Sequence, residues 1–145
     1  MHSAICGYMP AHMTSSSCHC TILRKATRKV SAYYDEALVS LGINIAQLSL
    51  MRNIARIEPT SLTELAARVE LDRSTVGRNI KVLERMGLVA IITGKDHREV
   101  VLELSQSGRK ILREGNAIWD RVQDDINARL GADHMKQLHG LLARL

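Results

Sequence analysis

Leu62-Thr-Glu-Leu-Ala-Ala-Arg-Val-Glu-Leu-Asp72-Arg-Ser-Thr-Val-Gly-Arg-Asn-Ile-Lys-Val-Leu-Glu-Arg-Met-Gly87 decides the fold. Ser61 stands before its apolar periodicity and Glu64 follows three residues later, a capping-box pattern that predicts a short helix over 62–69. Asp72 is a candidate N-cap for a second helix from Arg73 to Met86, and Gly87 ends it. Two helices joined by so short a turn have the spacing of a helix-turn-helix. At about 100° per residue, Val76, Ile80, Leu83 and Gly87 share one side of the second helix. Ser74, Arg78, Lys81 and Arg85 share the opposite side, with Thr75, Asn79 and Val82 on a flank. That face suits DNA. Arg pairs bidentately with guanine, Asn with adenine, and Thr and Val methyls touch thymine. Arg73, Lys81 and Arg85 suit phosphate, as does Thr63 near the free amides of the preceding helix. The alternative is a merely solvated polar face.

Outward from this pair, two β-rich runs follow, Leu88 to Thr93 and Glu99 to Leu104, linked by Gly94-Lys95-Asp96-His97-Arg98. They read as a hairpin with a basic tip, which makes the helix pair a winged helix. Arg98 fits a narrow minor groove, Asp96 pairs with it and fixes its direction, and Lys95 and His97 face phosphate. Upstream, an apolar stripe predicts a helix from about Ser17 to Leu41, closed by Gly42. A second helix near Asn44 to Ile57 is apolar on most sides and belongs in a core. Downstream, Ser105-Gln106-Ser107-Gly108 opens a long helix to Leu130, Gly131 interrupts it, and a last helix carries Met135, Leu138, Leu141, Leu142 and Leu145. Residues 1–17 show no period and read as a mobile tail, with Met13 as an alternative start.

Leu62-Thr-Glu-Leu-Ala66, Asp72-Arg-Ser-Thr-Val-Gly-Arg78, Val82-Leu-Glu-Arg-Met-Gly-Leu-Val89, Asp96-His-Arg98 and Leu102-Glu-Leu-Ser-Gln-Ser-Gly108 together resemble the MarR family of bacterial transcriptional regulators. The resemblance runs from about residue 18 to 145. It implies a mainly α fold with a small β-hairpin wing, a winged helix-turn-helix in an intertwined helical dimer. Dimerisation helices occupy 18–41 and 106–145 and the DNA-binding part 44–104. Two departures stand out: Gly77 lies where many relatives carry Thr or another side chain, and Ala90 replaces a frequent Arg. The expected partners are double-stranded DNA at a pseudo-palindromic site and a second copy of the chain. The apolar stripes of the first and last helices point independently to that copy, since one small winged domain cannot cover them.

The resemblance also implies a repressor released by a small anion, often an aromatic acid, held between the dimer helices and the winged domain. Candidate lining residues are Arg24, Arg28, Tyr33, Tyr34, Met51 and Arg52, where Arg holds a carboxylate and Tyr offers a hydroxyl. The alternative for Tyr and Met at helical spacing is plain core. Cys18-His19-Cys20 sits at the start of the first helix, where the dipole favours a thiolate. One branch of the family senses organic peroxides through a cysteine near this position, which makes Cys18 and Cys20 candidate redox residues. A metal reading would add His12 and Cys6, but the spacing is tighter than in structural zinc sites, and no metal or other cofactor is assigned.

Composition sets the outer limits. The chain has 145 residues, one domain's worth, with 46% hydrophobic and 24% charged residues, so a largely disordered chain is excluded. No apolar run approaches the roughly 18 residues of a membrane span. Aromatics at 3% argue against a single-strand stacking platform. A net charge of +5 favours an anionic partner. Three cysteines confined to the first 20 residues form no disulfide framework and suit a reducing, cytoplasmic compartment; no signal peptide is recognised. No glycine-rich phosphate loop, nucleophile triad or His-Glu-x-x-His motif is present, so an enzyme is not expected. A winged helix used for protein binding alone is the remaining rival.

Overall fold

The computed structural model describes residues 18–93 and 100–145. The expected tail over 1–17 and the wing-tip residues Lys95, Asp96, His97 and Arg98 lie outside that range. Six helices run in the order α1 (His19–Leu38), α2 (Ile45–Ile57), α3 (Leu62–Arg68), α4 (Arg73–Arg85), α5 (Gln106–Leu130) and α6 (Ala132–Leu142). A three-residue 3-10 turn, Val39–Leu41, extends α1. The strands are β1 (Thr60–Ser61), β2 (Val89–Thr93) and β3 (Val100–Leu104).

Local chemistry explains most boundaries. Asn44 and Gln47 form a reciprocal capping box at the start of α2, and Ser61 and Glu64 form the expected one at α3. Ser105 caps α5 by accepting from the Gly108 amide at 2.9 Å. Gly42 and Gly87 end their helices with φ of 68° and 71°, a region closed to most side chains. Between α3 and α4, Glu70 takes φ 53° while the Leu71 amide donates to Ala66 O at 3.1 Å. This left-handed cap closes α3 and turns the chain sharply into α4.

The hairpin expected from sequence is part of a three-stranded antiparallel sheet of order β1-β3-β2. Thr60 and Ser61 pair with Leu102 and Val101, so the inner edge of the wing is sewn to the start of α3. The core gathers Leu38, Leu48, Met51, Ile54, Leu65, Val76, Ile80, Leu83 and Leu102, all essentially inaccessible. Val76, Ile80 and Leu83 are the buried face of α4, as its periodicity requires. Truncating any large member, such as Leu83→Ala, costs about 2–5 kcal/mol.

The outer helices are different. Ile22, Leu23, Val30 and Tyr33 of α1 are exposed, as are Leu138, Leu141 and Leu142 of α6. Helix α6 buries no residue at all within one chain. In the described residues no helix is long and apolar enough to cross a membrane.

Candidate nucleic-acid interface and its adjoining cavity

Helix α4 presents Ser74, Arg78, Lys81 and Arg85 to solvent, opposite its buried face. Asp72 organises the first turn. Its Oδ1 accepts from the Thr75 amide at 2.8 Å and from Ser74 Oγ at 2.5 Å, and its Oδ2 accepts from Thr75 Oγ1 at 2.6 Å. The Ser74 hydroxyl, then the Thr75 hydroxyl and amide, hold the Asp72 carboxyl well below the usual carboxylate range. Each hydroxyl has one hydrogen, and Asp72 takes both. Ser74 and Thr75 therefore turn lone pairs outward and offer acceptors rather than donors.

Arg78 Nη2 donates to Thr75 Oγ1 at 3.3 Å, which leaves most of its guanidinium donors free. Asn79 is half-buried and commits one amide hydrogen to Thr75 O at 3.0 Å, so it is less available to a base than its position on the helix implies. Thr63, Arg73 and Lys81 converge on a hollow of about 410 Å³ between α3, α4 and the strands. Arg85 is exposed at the far end of α4. A Cβ at Gly77 would meet only Leu62 Cδ2 at 3.4 Å, an ordinary contact. Gly77→Ala is therefore expected to stabilise the chain by up to about 1 kcal/mol, seen as a raised Tm; a lowered Tm would show a constraint on α4 beyond helix propensity.

The Asp72 cap gives a pH prediction. A carboxyl depressed in the folded state stabilises at any pH above its unfolded value, and that contribution is lost as pH falls through the folded value. Asp72→Ala is thus expected to melt earlier than wild type at neutral pH, with the gap closing only as the pH drops below the ordinary carboxylate range. Thermal melts of both proteins across acid pH check this. A gap that stays constant down to the most acid pH would contradict it.

A cavity of about 440 Å³ lies beside this interface, lined by Tyr34, Ile45, Ser49, Arg52, Asn53, Arg56 and Trp119. The Arg52 guanidinium sits 4.0 Å from the centre of the Trp119 ring. Burial pushes the Tyr34 hydroxyl up from its usual value, against the opposing charge of Arg52. The candidate effector residues from sequence do not share this cavity. Tyr34 and Arg52 line it. Arg24 and Arg28 line a separate open hollow with Cys20 on α1. Tyr33 lies under Arg129, whose Nη1 donates to the Tyr33 hydroxyl at 3.0 Å. Met51 is fully buried in the core and is not among the residues that line this cavity, because α2 packs it inward beside Leu48 and Ile54. Sequence reasoning missed Ile45, Ser49, Asn53, Arg56 and Trp119. The i, i+3, i+4, i+7 spacing of Ser49, Arg52, Asn53 and Arg56 was the available signal.

Cys18 and Cys20 are exposed and unpaired at the start of α1. Cys18 is the N-cap residue without a regular capping hydrogen bond, yet the first-turn amides of Thr21 and Cys20, with the Thr21 side chain, lower its pKa. Among the described residues, no group of three His, Cys, Asp or Glu could hold a metal ion.

The profile of the MarR family matches residues 41–99, the stretch that contains α2 to β2 and the wing tip. The M. tuberculosis transcriptional regulator MosR, solved in complex with DNA, is 32% identical, with a TM-score of 0.75 over 86% of this chain and 93% of that one. This chain belongs to the MarR family. The uncharacterised HTH-type transcriptional regulator YdgJ of Bacillus subtilis is 26% identical over 105 residues, 72% of this chain and 64% of that regulator's length. A MarR variant from E. coli, complexed with operator DNA, is 21% identical with a TM-score of 0.78 over 85% of this chain and 89% of that chain, a likeness of fold. Family and fold are those of DNA-binding, winged-helix transcriptional regulators.

Proposed function

We propose that this MarR-family regulator is a cytoplasmic homodimeric repressor that leaves a pseudo-palindromic operator when a small aromatic acid enters the Trp119 cavity. The cavity carries the reading. Two arginines, Arg52 and Arg56, offer donors to a carboxylate, Trp119 offers an aromatic face, and Tyr34 offers a hydroxyl. The dimer reading rests on the exposed apolar side chains of α1 and α6. A two-fold axis then sets the α4 helices about one DNA turn, roughly 34–36 Å, apart. DNA contacts fall to Arg78 with Ser74 and Thr75 at bases, and to Thr63, Arg73, Lys81 and Arg85 at phosphates. The wing tip, Lys95 to Arg98, completes them in the adjacent minor groove. The dimerisation helices 18–41 and 106–145 and the DNA-binding part 44–104 divide the work.

Fluorescence anisotropy on a duplex from the chain's own upstream intergenic region tests this. Binding on the order of 10⁻⁸ M at physiological salt is expected. A carboxylate probe such as 4-hydroxybenzoate should weaken it in wild type and not in Arg52→Met. If no acid in a panel of benzoates and cinnamates does so, the effector reading fails.

One observation favours a second reading, a thiol switch: the lowered pKa of exposed Cys18 beside Cys20. Stoichiometric organic peroxide would then weaken DNA binding in wild type and not in Cys18→Ser. Indifference of wild type to peroxide removes it.

A further inference from the structure

We infer that Asn53 and Arg68 couple the Trp119 cavity to the helices that read DNA. Among the hydrogen bonds of the described residues, Asn53 is the cavity residue that reaches the helix-turn-helix: its Oδ1 accepts from Arg68 Nε at 3.0 Å. Its Nδ2 donates to Ser49 O one turn back at 2.9 Å, which fixes the amide's direction. Arg68 closes the last turn of α3, and the Leu71-to-Ala66 backbone bond follows at once and sets the entry into α4.

The bond is well suited to being exchanged. Asn53 Oδ1 is a neutral acceptor holding a cation. The one ion pair among the described residues joins Glu58 to Arg109, so Arg68 has no carboxylate there. An anion entering beside Asn53 offers Arg68 a charge-assisted bond, roughly twice as strong as a neutral one. Arg68 then leaves the Asn53 amide, and the end of α3 follows its last residue. Asn53 is a positioning residue: it acts on DNA through α3 and α4 and touches no base. Coupling between two sites is reciprocal, so DNA that fixes α3 and α4 must also change the cavity. This inference rests on the Trp119 cavity being the effector site.

Trp119 is the only tryptophan in the chain and lies in the cavity wall, so it reports the cavity directly. The experiment is acrylamide quenching of Trp119 in the full-length protein, with and without the upstream duplex at a concentration that saturates anisotropy. Wild type should change its quenching constant on binding DNA. Asn53→Ala and Arg68→Met should bind the duplex and lose that change, and Asn53→Asp, which keeps the acceptor, should retain it. Far-UV circular dichroism confirms folding, and Arg68→Met carries the test if Asn53→Ala unfolds. If both variants respond to DNA as wild type does, the coupling runs elsewhere and this inference fails while the effector reading stands. If wild type itself shows no change, the cavity is uncoupled from DNA and both fail.

Discussion

Gly108→Ala is expected to lower the stability of the fold by about 3 kcal/mol, the upper end of what overpacking usually costs. A Cβ there would stand 2.0 Å from the carbonyl oxygen of Leu88 and 3.0 Å from its carbonyl carbon. Both are backbone atoms, so no side-chain rotation relieves the clash. The first turn of α5 would have to back away from the start of β2. That retreat breaks a tight seam: the Ser105 amide donates to Leu88 O at 3.1 Å, and the hydroxyls of Ser105 and Ser107 donate to Gly87 O at 2.6 and 2.7 Å. At roughly 2–4 °C per kcal/mol for a chain of this size, Tm should fall by roughly 6–12 °C, with both proteins melted at one concentration. Gly77→Ala, the same change where the new Cβ would make only an ordinary contact with Leu62 Cδ2, is the control with the opposite sign. A Gly108→Ala protein that melts within a degree or two of wild type would mean that α5 slides freely against the wing.

Arg78→Ala should leave stability within about 0.5 kcal/mol of wild type, because the side chain is exposed and makes only a long bond to Thr75. Its effect should appear in DNA binding. A bidentate Arg–guanine pair is worth about 1–3 kcal/mol of discrimination. In the proposed dimer, two half-sites double this to about 2–6 kcal/mol if they add, with tenfold in affinity for each 1.4 kcal/mol or so. Loss of preference is the informative part: the variant should bind a scrambled duplex nearly as well as the operator. Lys81→Ala should weaken both duplexes alike and lower the salt slope by about 1 for each phosphate no longer neutralised. An Arg78→Ala protein that still prefers the operator as strongly as wild type would move base recognition to other residues of α4 or to the wing.

The helix-turn-helix was legible because its punctuation is chemical and local. Ser61 with Glu64, Asp72, Gly87 and Gly131 each act within a turn of their own position, and each stands where the structure uses it. The burial of Val76, Ile80 and Leu83 followed from period alone. Strand β1 was not legible, since two residues hold no alternation and its existence depends on a partner about 40 residues later. The cavity was legible only at Tyr34 and Arg52, for a similar reason. Helix α2 is apolar on most sides, so nothing local tells inward Met51 from the wall residues Arg52 and Asn53. Trp119 joins them from another helix, far along the chain. Neighbours Tyr33 and Tyr34 diverge to an exposed and a buried site because adjacent helical residues point about 100° apart. That Ser74 and Thr75 offer acceptors outward needed atoms, because it depends on which group takes their hydrogens.

The ladder between β2 and β3 runs from Val89 opposite Leu104 to Thr93 opposite Val100, and β3 is held on its other side by β1. Register is thus settled before the chain reaches the tip. Strand β3 is thus anchored along both edges, to β2 and to β1. Substitution outside this ladder therefore puts less of the fold at risk than substitution at Val76, Ile80 or Leu83, which the core encloses. Exchanging 94–99 between relatives is the direct way to learn whether that segment carries operator preference.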